Sequence, residues 1–284
     1  MTYRFSSRIR NVNGEAINDI LKASADPSII SLAGGNPASE LFPNRELAEI
    51  AYELLQNEPV LTLQYSVAKG YAPLREAVTK MIAERDNIHL NGDAIMISSG
   101  SQQGMDFAAK CIINEGDTVL VEEPTFLGAL GCFTGYGAQL KGIPMENDGI
   151  NVSELKKALE TEKNIKFLYT IPNFQNPTGI TMSYEKRKEV YSLCAEHEVL
   201  IIEDNPYGEL TFTGKKLPSL KSIDAEGIVI YCGSFSKILA PGIRVGYIVA
   251  PKEIIGHMID AKQSNDTHSP MITQVMTYEY LKRH

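Results

Sequence analysis

From about Asp93 onward, the sequence alternates between short apolar runs and longer runs with helical spacing. The apolar runs are AIMISS, TVLVEEP, AQLKGIPM, KFLYTIP, VLIIED, GIVIYCGS and VGYIVAP, and helix-like segments such as QQGMDFAAKCII, FLGALGCFTGY and SYEKRKEVYSLCAEHE lie between them. This alternation is typical of βαβ units, in which successive strands are parallel and helices cover the sheet. Uninterrupted apolar runs indicate strands that are buried on both faces. We therefore expect an α/β fold with a mostly parallel sheet flanked by helices.

The helical segments outside this alternation lie near the two ends of the chain. NRELAEIAYELLQN and APLREAVTKMIAER, joined by LQYSVAKGY, come before it, and MITQVMTYEYLKRH comes after it. The first two are expected to cover the sheet. Within the alternating region, Ser153 is expected to open the helix VSELKKALE, because a serine side chain is a good helix N-cap.

Charge and composition argue against several classes of protein. The net charge is −8, which disfavours a nucleic-acid partner because phosphate contacts need clustered lysine and arginine. No run approaches the roughly 18 apolar residues of a membrane span, so we expect no membrane partner. The basic segment MTYRFSSRIR is not followed by an apolar stretch, so it does not have the pattern of a secretory signal.

The cysteine pattern bears on redox chemistry. No CxxC motif occurs, and the cysteines have apolar sequence neighbours; they are Cys111, Cys132, Cys194 and Cys232. This pattern argues against a zinc knuckle or a redox pair and predicts reduced, buried thiols in a cytoplasmic protein.

The segment SSGSQQGMDF is a candidate anion site. A buried strand ends at Ser98, a glycine follows, and a helix opens near Ser101. Backbone N–H groups at a helix N-terminus attract anions, and Ser101 and Gln102 add side-chain donors. The alternative is that Ser101 serves only as an ordinary N-cap.

Two further segments place polar residues after apolar strands. In IPNFQNPTG, Asn176 lies at the carboxyl end of a strand, where α/β sheets bind ligands, although the segment is also a plain Pro-Gly turn. In VLIIEDNPYGEL, Asp204 needs a partner, because a lone buried carboxylate is costly. That partner is either a helix end, an arginine or a protonated ring nitrogen. Tyr207 is either packed core or a hydroxyl donor to a ligand.

The segment GSFSKILAPGIRVGY contains a lysine in an unusual setting. Lys237 follows an apolar run and lies among small hydroxyl residues, and Arg244 comes seven positions later. A surface lysine in a loop is the simpler interpretation. Partial burial or a neighbouring cation would instead lower its pKa and free the amine as a nucleophile.

These four segments together match the parts of pyridoxal 5′-phosphate (PLP). They offer an anion cradle for its phosphate, an asparagine for its ring oxygen, an aspartate for its pyridine nitrogen and an amine for its aldehyde. The sequence also resembles the fold-type I PLP-dependent aminotransferases of the class I/II superfamily. Within it, the chain is most similar to the subgroup of 2-aminoadipate, kynurenine and aromatic aminotransferases. The matching motifs, in order, are SLAGGNPASELFP, LQYSVAKGYAPLR, SSGSQQGMDF, EEPTF, NPTG, EDNPYGEL and SFSKILAPGIRVG.

The resemblance implies a role for each matching residue. Lys237 forms the Schiff base with the cofactor and moves the substrate proton, and Asp204 keeps the pyridine nitrogen protonated. Asn176 and Tyr207 bind the phenolic oxygen, and Phe126 stacks on the ring. The residues implied to hold the phosphate are Ser101, Gln102, Ser234, Ser236 and Arg244. Tyr65 reaches the phosphate of a neighbouring subunit, which implies a homodimer with shared active sites, and Gly35 lies against the substrate carboxylate.

The resemblance also implies a domain organisation and a reaction. Residues 1–40 form an N-terminal arm with part of a small domain, and residues 41–284 form the PLP-binding large domain. The expected reaction moves an amino group from an amino acid to a 2-oxo acid. A PLP-binding sensor module, related to the effector domains of transcription regulators, and a PLP lyase on the same fold are the alternatives.

The chain departs from the family pattern in two respects. In relatives with acidic substrates, an arginine of the N-terminal helix binds the distal carboxylate, whereas GEAINDILKAS has no arginine and Asn18 is the approximate match. The relatives also continue beyond this length, and we expect that portion to hold most of the small domain and the arginine that binds the substrate α-carboxylate. The 284-residue form is therefore expected to bind PLP and to transaminate poorly.

Overall fold

An eight-stranded sheet forms the centre of the molecule, in a computed structural model that describes residues 2–10, 19, 22–23, 28–30, 35–212 and 216–284. The strands are β1 (Asp93–Ser98), β2 (Thr118–Glu123), β3 (Gln139–Glu146), β4 (Gly149–Ile150), β5 (Ile165–Thr170), β6 (Leu200–Asn205), β7 (Val229–Ser234) and β8 (Gly246–Pro251). Their order in the sheet is β1-β8-β7-β6-β5-β2-β3-β4. Strands β3, β2, β5, β6 and β7 pair in parallel, whereas β8 is antiparallel to both β7 and β1, and β4 to β3. The predicted α/β fold with a mostly parallel sheet is confirmed.

Helices connect and cover these strands. They are α1 (Ser7–Arg10), α2 (Asn44–Asn57), α3 (Pro59–Leu63), α4 (Ala72–Asp86), α5 (Ser101–Ile112), α6 (Leu127–Gly135), α7 (Val152–Thr161), α8 (Tyr184–Glu196), α9 (Lys252–Gln263) and α10 (Met271–Arg283). The expected helical segments are present except GEAINDILKAS, most of which lies outside the described residues, and α1, α3 and α9 are additional. Within the described part of the chain, no helix combines the length and the apolar character needed to cross a membrane.

Alternate residues of the central strands point to opposite faces of the sheet, as the two-residue period of a strand requires. On β7, Ile230 and Cys232 join the core under α5, α6 and α9. Val229 points to the opposite face, under α7 and α8, and Tyr231 to the part of that face that α4 covers. Helices on both faces explain why the strands are apolar without alternation.

Two local expectations are wrong. The cap of α7 is Asn151, whose side chain accepts a hydrogen bond from the Glu154 N–H at 2.9 Å, whereas Ser153 lies inside the first turn. Asparagine caps as well as serine, and here it is placed one residue before the helix. Cys111 is exposed, not buried, because it lies on the outer side of the last turn of α5.

The order and direction of the strands bring the candidate residues to one edge of the sheet. Because β1, β2, β5, β6 and β7 run in the same direction, their carboxyl ends share this edge, and β8 begins there. The segments that follow Ser98, Thr170, Asn205 and Ser234 therefore meet. The carboxyl edge of such a sheet is the usual ligand site of α/β proteins.

Candidate active site

The start of α5 forms one wall of the site. Gly100 has φ of 85°, and a Cβ atom there would lie 2.4 Å from Arg244 Nη2, so the position requires glycine. Gly100 is the N-cap and Ser101 is the first helical residue, so the alternative role of Ser101 as the cap is wrong. The first N–H groups of a helix lack intrahelical partners and attract anions. The Gln102 side chain donates to the Gly128 carbonyl at 3.0 Å, beside this helix end.

The loop between β7 and β8 forms the facing wall. Ser234 and Ser236 share a hydrogen bond between their hydroxyls at 2.9 Å, and the Ser236 N–H donates to Ser234 Oγ at 3.1 Å. The Arg244 guanidinium donates from Nη1 to Ser236 Oγ at 3.5 Å and from Nη2 to the Ser99 carbonyl at 3.0 Å. Arg244 therefore joins the two walls and brings a permanent positive charge to a set of neutral donors.

Asp204 lies on β6 below these walls, and its side chain is 2% exposed. Its Oδ2 accepts a hydrogen bond from the Tyr169 hydroxyl at 2.9 Å, whereas Oδ1 is buried without a hydrogen-bond partner among the described residues. Burial raises the pKa of Asp204 to about 6, although the Tyr169 and Ser101 hydroxyls act to lower it. A buried carboxylate oxygen without a donor is costly, so the site favours a ligand that brings a proton to Oδ1.

Glu203, the neighbour of Asp204, has a different environment. Its side chain points to the opposite face of the sheet, where both oxygens accept backbone hydrogen bonds, from Leu220 at 3.0 Å and from Lys221 at 2.8 Å. Of the two adjacent acids, Asp204 is therefore the one with an oxygen available to a ligand.

Lys237 is half-buried in the β7–β8 loop. Its ammonium donates a hydrogen bond to the Gly35 carbonyl, and no ion pair to a carboxylate is found for it within the described ranges. Burial lowers the pKa of Lys237. Partial burial was one of the two causes expected from the sequence. This contact places Gly35 beside the amine.

Asn176 and Tyr207 meet beside Asp204. Burial and the charge of Asp204 raise the pKa of Tyr207, and a hydrogen bond from Asn176 acts to lower it. Phe126 is half-buried at the start of α6, and its ring lies over Gly128, where a Cβ atom would come within 2.5 Å of Phe126 Cζ. The structure thus brings the predicted cofactor residues of this chain to one edge.

Tyr65 is separate from this group. Its side chain is 82% exposed, and its ring makes an edge contact with His268 at 6.0 Å between centroids. Asn18 lies outside the described residues.

Sequence reasoning missed two buried residues that support the site. In the sequence, Tyr169 is simply part of an apolar strand, but its hydroxyl donates a hydrogen bond to Asp204. Glu122 is fully buried, accepts hydrogen bonds from the Thr170 hydroxyl and from Gln175 Nε2, and thereby supports the loop that carries Asn176. Burial raises the pKa of Glu122 to about 7. Two adjacent glutamates, Glu122 and Glu123, end the otherwise apolar run TVLVEEP, and this is the feature of the sequence that indicates a buried acid.

Comparison with known proteins identifies the family. The family model for aminotransferase class I and II matches residues 27–282. The chain belongs to the class I and II aminotransferases. It is 41% identical over 282 residues to aromatic-amino-acid aminotransferase 1 of Thermococcus litoralis, an alignment that covers 98% of this chain and 68% of that protein. The predicted family is confirmed.

Solved structures of aminotransferases are also similar to this chain. The kynurenine aminotransferase of Pyrococcus horikoshii, described in complex with PMP, has a TM-score of 0.93 and 39% identity over 98% of this chain and 70% of its own. An alpha-aminoadipate aminotransferase from Thermus thermophilus, complexed with N-(5′-phosphopyridoxyl)-L-leucine, has a TM-score of 0.89 and 37% identity over 98% and 69%. The aminotransferase uses PLP and transfers amino groups between amino acids and 2-oxo acids. The alternatives of a sensor module and a lyase are not better supported.

The residues of this chain fit the cofactor. Asp204 Oδ1 is buried without a donor, as a protonated pyridine nitrogen would require. The Arg244 guanidinium, the Ser234 and Ser236 hydroxyls and the first N–H groups of α5 bring a positive charge and neutral donors together, as a phosphate requires. The fit rests on charge and hydrogen-bonding capacity at both ends of the site.

Proposed function

We propose that the carboxyl edge of the sheet is the PLP site and that Asp204 anchors the pyridine ring. The buried Oδ1 without a donor carries this proposal. The charged carboxylate favours a protonated ring nitrogen, because opposite charges stabilise each other strongly at a buried position. Asn176 and Tyr207 bind the phenolic oxygen, and Phe126 covers the ring. The phosphate is held by Ser101, Gln102, Ser234, Ser236 and Arg244.

Lys237 carries the covalent attachment and the proton transfer. Bound PLP supplies an electron sink for the bond that breaks at the substrate Cα. Burial lowers the pKa of Lys237, which increases the fraction of neutral amine at a given pH. The amine, which here donates to the Gly35 carbonyl, would hold the cofactor through its aldehyde and, as a free neutral amine, would take the proton from the substrate Cα. Gly35, which its contact places beside the amine, lies against the substrate carboxylate.

We infer that the preferred amino donor has an aromatic side chain. The relatives named above include an aromatic-amino-acid and a kynurenine aminotransferase. The segment GEAINDILKAS also has no arginine to bind a distal carboxylate. A neutral side chain that meets no such charge loses less than an acidic one, because an unpaired buried carboxylate is costly.

A single-turnover experiment tests the reaction and the donor class. PLP-loaded protein is mixed with excess phenylalanine, kynurenine or 2-aminoadipate, and the aminated cofactor and the keto acid are quantified by mass spectrometry. We expect conversion with the two aromatic donors and at least about tenfold slower conversion with 2-aminoadipate. Faster conversion with 2-aminoadipate would contradict the donor assignment, and carbon–carbon bond cleavage products would contradict amino transfer.

We propose that two copies of the chain share their active sites. Large apolar side chains are exposed together on and after α2 and α3, at Tyr52, Val60, Leu63, Tyr65 and Val67. Such a concentration of exposed apolar surface is typical of a protein interface. Because the Tyr65 side chain is outside the site of its own chain, its hydroxyl is available to a phosphate bound by a second copy.

A complementation experiment tests this arrangement. A chain with Lys237→Ala and a chain with Tyr65→Phe are each expected to convert donor poorly, the second by about tenfold through loss of one hydrogen bond to a charged group. When the two are mixed and refolded together, one site of the mixed dimer has both residues, so conversion should recover to at least twice that of either variant. Tyr52→Phe serves as the matched control. Additive activity without recovery would show that each chain works alone.

The proposed compartment is the cytoplasm. The described cysteines are free thiols, and burial raises the pKa of Cys194 and Cys232. Unpaired buried thiols are usual in a reducing compartment.

A further inference from the structure

Lys262 is a fully buried lysine on α9 with a complete set of polar partners. Its ammonium donates to Gln103 Oε1 at 2.8 Å and to Ser269 Oγ at 3.0 Å. It also forms an ion pair with Asp266, at 3.0 Å to Oδ1 and 2.9 Å to Oδ2. A buried ammonium is retained only where such partners replace water, so this group has a demanding local structure.

The partners of Lys262 lead directly to the walls of the active site. The Ser99 N–H donates to Gln103 Oε1 at 2.9 Å, the same oxygen that Lys262 binds. The Ser99 hydroxyl also shares a hydrogen bond with Ser269 Oγ at 2.9 Å. On its other side, the Ser99 carbonyl accepts from Arg244 Nη2 at 3.0 Å. Through Gln103 and Ser269, Lys262 therefore fixes the N–H and the hydroxyl of Ser99, whose carbonyl binds Arg244.

The positive charge of Lys262 also neutralises the Asp266 carboxylate. The Asp266 carboxylate accepts from Gln103 Nε2 at 2.8 Å, in the first turn of α5, next to the residues that bind the phosphate. Without Lys262, this negative charge would be unbalanced beside an anion site and would repel the ligand. Burial lowers the pKa of Lys262, and the charge of Asp266 acts to raise it.

We propose that Lys262 is a positioning residue for cofactor phosphate binding, acting through Ser99 and Gln103 on the start of α5 and on Arg244. The proposal rests on the assignment of these elements to the phosphate. Lys262 contacts neither cofactor nor substrate. It fixes the donors that do, and it neutralises Asp266 behind them.

The test compares the affinities of cofactor-free protein for PLP and for pyridoxal, which lacks the phosphate. Both ligands have the aldehyde, so their affinity ratio isolates the phosphate contribution. Lys262→Met is compared with Lys221→Met as a matched control. Lys221 is also buried and ion-paired, at 2.8 Å to both Asp93 and Asp224, but it lies by the amino ends of β1 and β7, the edge opposite the site. Loss of a buried ion pair is thus common to both variants, and only Lys262 adjoins Ser99.

We expect Lys262→Met to lower the affinity for PLP by about 10- to 100-fold, the loss of hydrogen bonds to a charged group, with the affinity for pyridoxal unchanged. Lys221→Met should keep the wild-type ratio. An unchanged affinity ratio in Lys262→Met overturns the proposal, whether both affinities stay the same or fall equally. If the single variant does not fold, Lys262→Met with Asp266→Asn removes the unpaired charge and must still show a lower ratio. A wild-type protein that does not distinguish PLP from pyridoxal would overturn the phosphate site itself.

Discussion

Replacing Lys237 with alanine is expected to abolish amino transfer, with a loss of at least about 10³-fold in the rate of donor conversion. With the roles proposed for Lys237, the variant would lose both the covalent anchor and the base that moves the Cα proton, and general acid–base catalysis alone is worth roughly 10²- to 10⁴-fold. PLP should still bind through its phosphate and ring, but the visible absorbance of the covalent adduct should be absent.

Borohydride reduction followed by peptide mapping distinguishes this from a general loss of structure. In the wild-type protein, the reduced label should lie on the peptide that contains Lys237. Lys252→Ala, a change to an exposed lysine at the start of α9, is the control and should retain both label and activity. A reducible adduct on the same peptide in Lys237→Ala would show that another amine performs this role.

Replacing Asp204 with alanine should lower the rate of donor conversion by about 10²- to 10³-fold, the usual loss when a preorganised electrostatic partner is removed. In the proposed site the buried carboxylate would hold its charge at the ring nitrogen, so its loss would leave that nitrogen without a stabilising charge. PLP binding should persist because the phosphate contacts are unchanged. Rates are measured in single turnover, with bound cofactor quantified separately.

Glu203→Gln is the matched control for Asp204. It removes the adjacent acid, whose oxygens bind the Leu220 and Lys221 N–H groups on the opposite face. We expect it to lower thermal stability while leaving conversion within about threefold of wild type, since substitutions outside the site mostly affect stability. Near-normal conversion by Asp204→Ala together with loss in Glu203→Gln would reverse the assignment.

The fold was predictable from the sequence because its signals are local. Apolar runs of strand length separated by helical segments predict parallel strands, and the structure contains each of those runs as a strand. The exact face of a helix is less well determined. Cys111 has apolar neighbours in sequence but points outward, and Asn151 rather than Ser153 caps its helix, because both depend on where the helix begins and how it packs.

The residues of the candidate site were predictable where they occur in short motifs at strand ends. The residues that support them were not. Tyr169 binds Asp204 from the neighbouring strand, and Lys262 approaches Ser99 from a helix that is more than 150 positions away in the sequence. Such contacts are made by tertiary packing, and one sequence contains no spacing that indicates them.

The β7–β8 loop fixes the distance between Lys237 and Arg244 as well as supplying their two functional groups. Gly233 pairs with Tyr247 and Ser234 with Gly246, and the Phe235 N–H donates to the Val245 carbonyl at 3.0 Å, so one ladder closes both ends of the loop. Lys237 and Arg244 therefore lie on the same short loop, and any displacement of this loop moves the amine and the guanidinium together. If Lys237 binds an aldehyde and Arg244 an anionic group, as proposed, the loop favours a ligand in which these two groups are separated by the distance between the two side chains. A compound in which a longer linker separates the aldehyde from the anionic group would therefore bind more weakly.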